Sequence, residues 1–223
     1  MSFNIAIDGP AGAGKSTIAK KVAKELSYIY VDTGAMFRAM ALYCIRNGVN
    51  KNEEEAVSVA CEQIDVSISY ENGEQQVLLN GENVNGFIRT EEVGNTASAI
   101  SVYGKVRTKL LELQRQLAET QNVIMDGRDI GTCVLPNAQV KIYLTASVET
   151  RGKRRFLELQ EKGQKCNLED ICADIRERDY RDMHREIAPL KQAEDAVLVD
   201  SSEMTIDEVV NAILNLVAQA QQK

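Results

Sequence analysis

One short segment, GPAGAGKS at residues 9–16, constrains the fold of this chain more than any other part of its sequence. It follows an apolar run, FNIAI at residues 3–7, which is typical of a short buried strand. It opens the run KSTIAKKVAKEL, in which Ile18, Val22 and Leu26 recur at helical spacing. A strand, a glycine-rich loop and an amphipathic helix in this order predict a loop that binds nucleotide phosphates.

The residue types in this segment match G-x-x-x-x-G-K-[ST] without a mismatch. Glycines let backbone N–H groups turn toward phosphate oxygens, and the helix N-terminus adds partial positive charge. Lys15 is expected to reach the β- and γ-phosphates of ATP, and the Ser16 hydroxyl to bind Mg²⁺. The alternative is a glycine-rich turn that merely precedes a lysine, which the flanking strand and helix disfavour. The residues predicted to bind the nucleotide are Gly9, Pro10, Ala11, Gly12, Ala13, Gly14, Lys15, Ser16 and Thr17.

A second Mg²⁺ ligand is predicted where another apolar run, NVIM at residues 122–125, ends in Asp126. An acidic residue at the end of such a strand helps to hold the metal in folds with this loop. The alternative is an ordinary aspartate at a strand end. Since GTPases, ATPases, small-molecule kinases and non-catalytic sensors share the loop, the reaction has to be inferred from other residues.

Short apolar runs alternate with helical patterns along the chain. Besides the two strands already named, they are YIYV at 28–31, VKIYL at 140–144 and AVLV at 196–199. This alternation predicts a doubly wound α/β fold around a mostly parallel, five-stranded sheet.

Two regions depart from this alternation. The segments DVSISY and QQVLLNGENV flank Glu71-Asn72-Gly73-Glu74, which predicts a β-hairpin inserted outside the main sheet. Residues 148–186 are highly charged and helical, with a break at Gly163, and are expected to form a surface excursion between two core strands.

The composition excludes several classes of function. The 223 residues fit a single domain, and 33 acidic against 26 basic residues give a formal net charge of −7, which argues against a nucleic-acid or polybasic membrane surface. The five cysteines form no C-x-x-C pair and only one histidine is present, which indicates thiols in a reducing cytosol. No apolar run reaches membrane-spanning length, and the apolar opening is too short for a signal peptide. We therefore expect a soluble cytoplasmic protein with small-molecule partners.

Residues 176–186, RERDYRDMHRE, concentrate positive charge in this acidic chain. At about 100° per residue, Arg178, Arg181, Asp182 and Arg185 fall on one helical face. Phosphoryl transfer between two bound anions requires arginines that neutralise several phosphate groups, closing after the substrate so that water is excluded. The alternative is a helix of i,i+4 ion pairs, such as Glu177 with Arg181.

Several blocks resemble those of bacterial cytidylate kinases, in the same order along essentially the whole chain. They are IAIDGPAGAGKST, DTGAMFRA, IRTEEV, MDGRDIGT and ERDYRDMHREIAPL. The glycine-rich loop is shared by many families, whereas DGRDIGT, the RDYRD block and the hairpin insert are more specific. The resemblance implies a P-loop nucleoside monophosphate kinase, monomeric, that transfers the γ-phosphoryl group of ATP to CMP or dCMP with Mg²⁺ in pyrimidine nucleotide metabolism.

The resemblance also implies roles for single residues. Arginines at three positions would hold acceptor phosphate: Arg38, Arg128 and Arg185. Arg178 and Asp182 would contact acceptor phosphate and sugar, and Thr33 would supply a hydroxyl to the acceptor. Three residues would read the cytosine: Ser98, Arg107 and Asp129. The residues expected to act in catalysis are Lys15, Arg128, Arg178 and Arg185. Phe37 departs from the tyrosine that relatives often carry there.

The implied layout is one domain: a core with the loop at 9–16, an acceptor-binding region at about 33–107 that includes the insert at about 64–95, and a lid at about 148–186. Lys153, Arg154 and Arg155 either act from this lid or are solvated surface. Kinases of AMP, UMP or shikimate are the nearest alternatives, which the insert and DGRDIGT disfavour. A non-catalytic ATP-binding regulator is another, but it would not need so many arginines.

Overall fold

A computed structural model describes residues 2–222 and shows an α/β fold. The strands are β1 (Asn4–Asp8), β2 (Ile29–Asp32), β3 (Val66–Glu71), β4 (Glu74–Leu79), β5 (Glu82–Asn83), β6 (Val123–Gly127), β7 (Val140–Thr145) and β8 (Val197–Asp200). The α-helices are α1 (Lys15–Leu26), α2 (Thr33–Arg46), α3 (Glu54–Gln63), α4 (Glu91–Ile100), α5 (Gly104–Thr120), α6 (Val148–Glu161), α7 (Leu168–His184) and α8 (Ile206–Gln221). A π-helical turn spans Ile130–Val134.

The main sheet has five strands in the order β2-β6-β1-β7-β8 and is parallel throughout, which confirms the predicted fold class. In β1 and β7, Ile5 pairs with Val140 and Ile7 with Ile142. Their apolar side chains are almost fully buried, as expected for strands covered on both faces. The end strand β8 differs, because Val197 and Leu198 are exposed.

The chain divides into two compact units. The first contains Ile29–Val123, and the second combines Phe3–Tyr28 with the chain from Ile124 onward.

Within the first unit, β3, β4 and β5 form a separate antiparallel sheet, so the predicted hairpin outside the main sheet is confirmed. Its two-residue turn has positive φ at Asn72 (52°) and Gly73 (80°), the backbone that Asn-Gly favours between twisted strands. The third strand, β5, was not anticipated. Val77 and Leu79 of β4 are buried, so the hairpin contributes to the core of this unit.

Within the second unit, α6 and α7 pack against each other and form the predicted helical excursion. A Cβ atom added at Gly152 would lie 2.4 Å from the Cys172 sulfur, so this close approach needs glycine in α6. The predicted break follows α6, where Gly163 has φ of 69°. Within residues 2–222, the helices include none long and apolar enough to cross a membrane.

Candidate active site

The loop after β1 has a backbone that only glycine can form at its first position. A Cβ atom at Gly9 would lie 1.9 Å from the Leu144 carbonyl oxygen, which shows how closely the loop crosses β7. Gly14, with φ of 90°, is the N-cap of α1 and starts the helix from a left-handed conformation. The loop therefore leads directly into the N-terminus of α1, where unpaired N–H groups favour anions.

Lys15 is the buried cation of this loop, with a side chain whose Nζ donates to the Pro10 carbonyl oxygen at 2.8 Å. With only the protein's own charges around it, its pKa is lowered to about 7. Burial is the largest cause and the positive charge of Arg128 the next, whereas Asp126 and Asp8 act in the opposite direction. Phosphate charge beside Lys15 would restore its ordinary protonation.

Ser16 and Asp126 lie together, with the Ser16 hydroxyl donating to Asp126 Oδ2 at 2.8 Å. Asp126 ends the buried part of β6 and is only 4% exposed. A hydroxyl and a carboxylate are oxygen ligands of the kind Mg²⁺ prefers. Among residues 2–222, His, Cys, Asp and Glu side chains form no cluster of three or more that could hold a metal. This arrangement fits a Mg²⁺ that binds one or two protein ligands and takes its others from phosphates and water.

Arg128, which is partly buried, forms an ion pair with the buried Asp182, in which Arg128 Nε donates to Asp182 Oδ2 at 2.8 Å. Burial alone would raise the pKa of Asp182, but the charge and hydrogen bond of Arg128 outweigh it, and the pKa is held below its usual value. Arg178 and Arg185 lower this pKa further. Asp182 therefore stays ionised among three arginines.

Asp129 and Arg185 form a second buried pair, with Arg185 Nη2 donating to Asp129 Oδ1 at 3.2 Å. The Arg185 Nε also donates to the Ala188 carbonyl oxygen at 2.7 Å, so two nitrogens of the guanidinium group fix its position. Within the second unit the structure thus brings together five of the predicted residues: Arg128, Asp129, Arg178, Asp182 and Arg185.

The predicted arginine face of α7 is only partly correct. The buried side chains of α7 are Cys172, Asp179 and Asp182. Arg181 is instead half-exposed, and its Nε lies 3.7 Å from Glu177 Oε1, which is the i,i+4 pair of the alternative interpretation. The buried side of α7 is set by Asp179 and Asp182, and at about 100° per residue Arg181 lies about 100° from Asp182 and about 160° from Asp179, so it faces solvent.

Arg151 in α6 is a buried residue that the sequence analysis did not identify. It donates from Nε to the Ala146 carbonyl, from Nη1 to the Ala11 carbonyl of the phosphate loop, and from Nη2 to Asp179 Oδ2 at 2.6 Å. It therefore ties the loop to α7. Its only sequence signal was an arginine on a helix of many charges, which does not distinguish it from its neighbours.

The other basic residues at the start of α6 have their own partners or are exposed. Arg154 donates to the Ser201 carbonyl at 2.8 Å, and Arg155 pairs with Glu158 at 3.0 Å. Lys153 is exposed. Their contacts favour a surface role over a role in phosphate binding.

In the first unit, Asp32 organises the start of α2. Its Oδ1 accepts the Ala35 N–H at 2.9 Å as an N-cap, which places Thr33 as the buried first residue of the helix. Arg38 Nη1 lies 4.0 Å from Asp32 Oδ1, and Arg89 donates to Asp32 Oδ2 at 2.5 Å. Arg89, in the IRTEEV block, was not predicted as a site residue.

Ser98 and Arg107 are linked through Ser101. The Ser101 hydroxyl donates to the Ser98 carbonyl at 2.9 Å, and Arg107 Nη1 donates to the Ser101 carbonyl at 3.1 Å. The Arg107 guanidinium also lies 5.8 Å from the centre of the Phe37 ring. Phe37, the departure from tyrosine, therefore supports Arg107 by a cation–π contact that needs no hydroxyl.

Known proteins resemble this chain over nearly its full length. A sequence profile described as "Cytidylate kinase" matches residues 5–219. A cytidylate kinase from Lactobacillus johnsonii is 50% identical over 219 residues, covering 98% of this chain and 95% of the relative. Another, from Bacillus licheniformis, is 51% identical over 221 residues, covering 98% and 97%.

Solved structures support the fold at a greater distance. Shikimate kinase from Bacteroides thetaiotaomicron has a TM-score of 0.51 and 13% sequence identity, covering 97% of this chain and 98% of that chain. This likeness concerns the fold alone. The profile match and the relatives at 50% and 51% sequence identity confirm the resemblance inferred from the sequence blocks: the chain belongs to the cytidylate kinase family.

Proposed function

We propose that this protein transfers the γ-phosphoryl group of ATP to CMP or dCMP. An oxygen of the acceptor phosphate attacks the γ-phosphorus, the bond from this phosphorus to the β,γ-bridging oxygen breaks, and ADP leaves. The observation that carries the proposal is electrostatic: Arg128, paired with Asp182, lies near enough to Lys15 for its positive charge to lower the pKa of the lysine. The lysine of the donor loop and one of the arginines expected to bind the acceptor phosphate are thus within interaction range of each other.

On the donor side, the residues 9–17 hold the ATP phosphates, and Lys15 stabilises charge on the β- and γ-phosphates as the transfer proceeds. Since Lys15 is buried, its charge acts where water does not screen it. Ser16 and Asp126 would hold Mg²⁺, which when bound neutralises phosphate charge and orients the transferred group.

For the acceptor phosphate, we propose Arg38, Arg128, Arg178 and Arg185 as ligands, with Asp182 at the sugar. The planar guanidinium fork suits the phosphate group because it grips two oxygens at once. Arg128 is positioned by its Nε, which donates to Asp182 Oδ2 at 2.8 Å, and by its Nη1, which donates to the Gly127 carbonyl oxygen at 3.3 Å. Thr33 contributes a hydroxyl at the start of α2.

For the base, we propose that Ser98, Arg107 and Asp129 read cytosine. Its pairing edge offers an amino donor at N4 and an acceptor at N3. Asp129 and Ser98 can accept from N4, and Arg107 can donate to N3. Uracil reverses both positions and would leave buried partners unpaired, which is costly.

We also propose that the protein acts as a monomer in the cytoplasm, within pyrimidine nucleotide metabolism. All five cysteines are thiols, as a reducing compartment would keep them. The monomer rests on the family resemblance, and light scattering after size exclusion tests it.

A coupled assay of ADP formation with each acceptor tests the proposal. We expect kcat/KM for CMP and dCMP to exceed that for UMP by on the order of 10-fold or more, since one base contact is worth about 1–3 kcal/mol. AMP, GMP and shikimate should be poor acceptors. Lys15→Ala should lower kcat by on the order of 1,000-fold with CMP. A better rate with AMP or shikimate, or a normal kcat in Lys15→Ala, would contradict the assignment.

A further inference from the structure

Asp8, the last residue of β1, has a buried carboxylate that the proposed reaction does not use. Its Oδ1 accepts the Ile130 N–H at 2.8 Å and its Oδ2 accepts the Gly131 N–H at 2.7 Å. These two N–H groups begin the π-helical turn Ile130–Val134. The first N–H groups of a helical turn have no partner within the turn itself, so Asp8 satisfies two of them from another strand.

Asp129 occupies the N-cap position of this turn but does not cap it with its side chain. An aspartate at an N-cap ordinarily accepts a backbone N–H of the turn that follows. Here the Asp129 carbonyl accepts the Cys133 N–H at 2.8 Å, while its carboxylate receives the Arg185 Nη2 at 3.2 Å. Asp8 performs the capping that Asp129 would otherwise perform.

We propose that Asp8 is a positioning residue for acceptor selectivity: by capping the turn Ile130–Val134, it keeps the Asp129 carboxylate directed to Arg185 and to the acceptor base. The inference rests on the proposed function, in which Asp129 reads cytosine. Without two acceptors at Asp8, the Asp129 carboxylate turns back onto the N–H groups of its own turn. The N4 amino group of cytosine then loses its acceptor on the protein, and the site loses a contact that distinguishes cytosine from uracil.

Burial disfavours the charged form of Asp8, and a carboxylate at this buried position therefore supports a role that a neutral side chain does not fill. Burial raises its pKa to about 6, although both backbone hydrogen bonds and the charge of Lys15 lower it. The negative charge of Asp129 raises it further. An asparagine of the same shape offers one acceptor oxygen and an NH₂ group, which would face an N–H donor.

The central test is Asp8→Asn, measured as kcat/KM for CMP and for UMP under saturating MgATP. The CMP/UMP ratio should fall by on the order of 10-fold, because the variant disturbs one base contact. Because the Asp8 charge also raises the pKa of Lys15, the readout is the CMP/UMP ratio at saturating MgATP and not the KM for ATP. A merely structural role predicts that kcat/KM for both acceptors falls in parallel, with the ratio unchanged.

Gly131→Ala provides a second test that keeps the Asp8 charge. Its Cβ atom would lie 3.4 Å from Asp8 Oδ2, at the limit of an ordinary contact, and 3.2 Å from Lys141 Cδ, so the turn or Lys141 has to shift by a few tenths of an ångström beside the cap. The CMP/UMP ratio should fall by a few-fold in the same direction. This variant keeps the inference testable if Asp8→Asn does not fold.

The matched control is Asp200→Asn. Asp200 also ends a parallel strand, β8, and its carboxylate also accepts a backbone N–H, from Ser202 at 2.9 Å, but it is exposed. Its CMP/UMP ratio should equal that of the wild type. An unchanged ratio in both Asp8→Asn and Gly131→Ala, with a selective wild type, would overturn the role of Asp8. A wild type that does not phosphorylate CMP would instead overturn the proposed function.

Discussion

The unusual protonation of Lys15 leads to a prediction about ATP binding. Its pKa is lowered to about 7 by burial and by the charge of Arg128. The β- and γ-phosphates of ATP bring several negative charges to the same position, and these raise the pKa of the lysine. MgATP binding at a pH above 7 should therefore take up a proton from solution.

The size of this uptake follows from the pKa. At pH 8, a lysine with a pKa of about 7 is roughly one-tenth protonated, so full protonation in the complex takes up about 0.9 proton per ATP bound. At pH 6.5 the same lysine is already about three-quarters protonated, and the uptake falls to about 0.25 proton. Asp8, with its pKa near 6, is ionised at pH 8 and does not contribute.

Isothermal titration calorimetry of MgATP binding measures this uptake, in two buffers of different ionisation enthalpy at pH 8. The slope of the observed enthalpy against buffer enthalpy gives the number of protons. Lys21→Ala is the matched control, because Lys21 lies on the same helix but is half-exposed and pairs with Asp207. It should leave the slope unchanged. A slope of zero for the wild type, with measurable binding, would refute the argument that burial discharges Lys15.

Three further predictions follow from the ion pairs and caps. Arg178→Lys should lower kcat at least 10-fold because it loses the planar fork, whereas Arg181→Lys should be near normal; equal losses in steady-state assays would contradict this. Gln75→Ala should raise KM for CMP a few-fold with KM for ATP unchanged, since Gln75 Oε1 accepts the Asp32 N–H at 2.8 Å beside the start of α2; parallel changes in both KM values would refute it. Folding raises the pKa of Asp8 from 3.8 to about 6, with the charges of Asp129 and Lys15 acting on it in opposite directions. Protonation of Asp8 therefore stabilises the folded protein fully below pH 3.8, and this stabilisation is lost as the pH rises through about 6. Urea unfolding should thus show the wild type gaining about 1.4 kcal/mol over Asp8→Asn between pH 7.5 and pH 5, and identical pH dependence of the two proteins would contradict the pKa.

Local patterns were enough to predict the parts of the fold that are set by local physics. The loop at residues 9–16, the strand before it and the helix after it are specified by adjacent residues. The Asn72-Gly73 turn is likewise set by two residues that tolerate positive φ. The domain boundaries inferred from the family resemblance stay a prediction.

Contacts between distant parts of the sequence could not be predicted in the same way. Asp8 meets Ile130 across 122 positions, and Arg151 meets the Ala11 carbonyl across 140. Each of these residues has the local pattern of a strand end or a charged helix, and only the packing of the strands and helices brings the partners together. Arg181 shows a limit of helical spacing, because spacing groups it with Arg178 and Asp182 but does not tell which side of this group is buried, and the buried side is that of Asp179 and Asp182.

Competition among acceptors tests the central assignment most directly. The protein is incubated with MgATP and equal concentrations of CMP, UMP and GMP, and all nucleotides are separated and quantified over time. CDP should form first and match ADP one to one, while UDP lags by on the order of 10-fold or more and GDP stays near background. Consumption of UMP or GMP before CMP, or formation of ADP and inorganic phosphate without CDP, would contradict the proposal that this protein is a CMP and dCMP kinase.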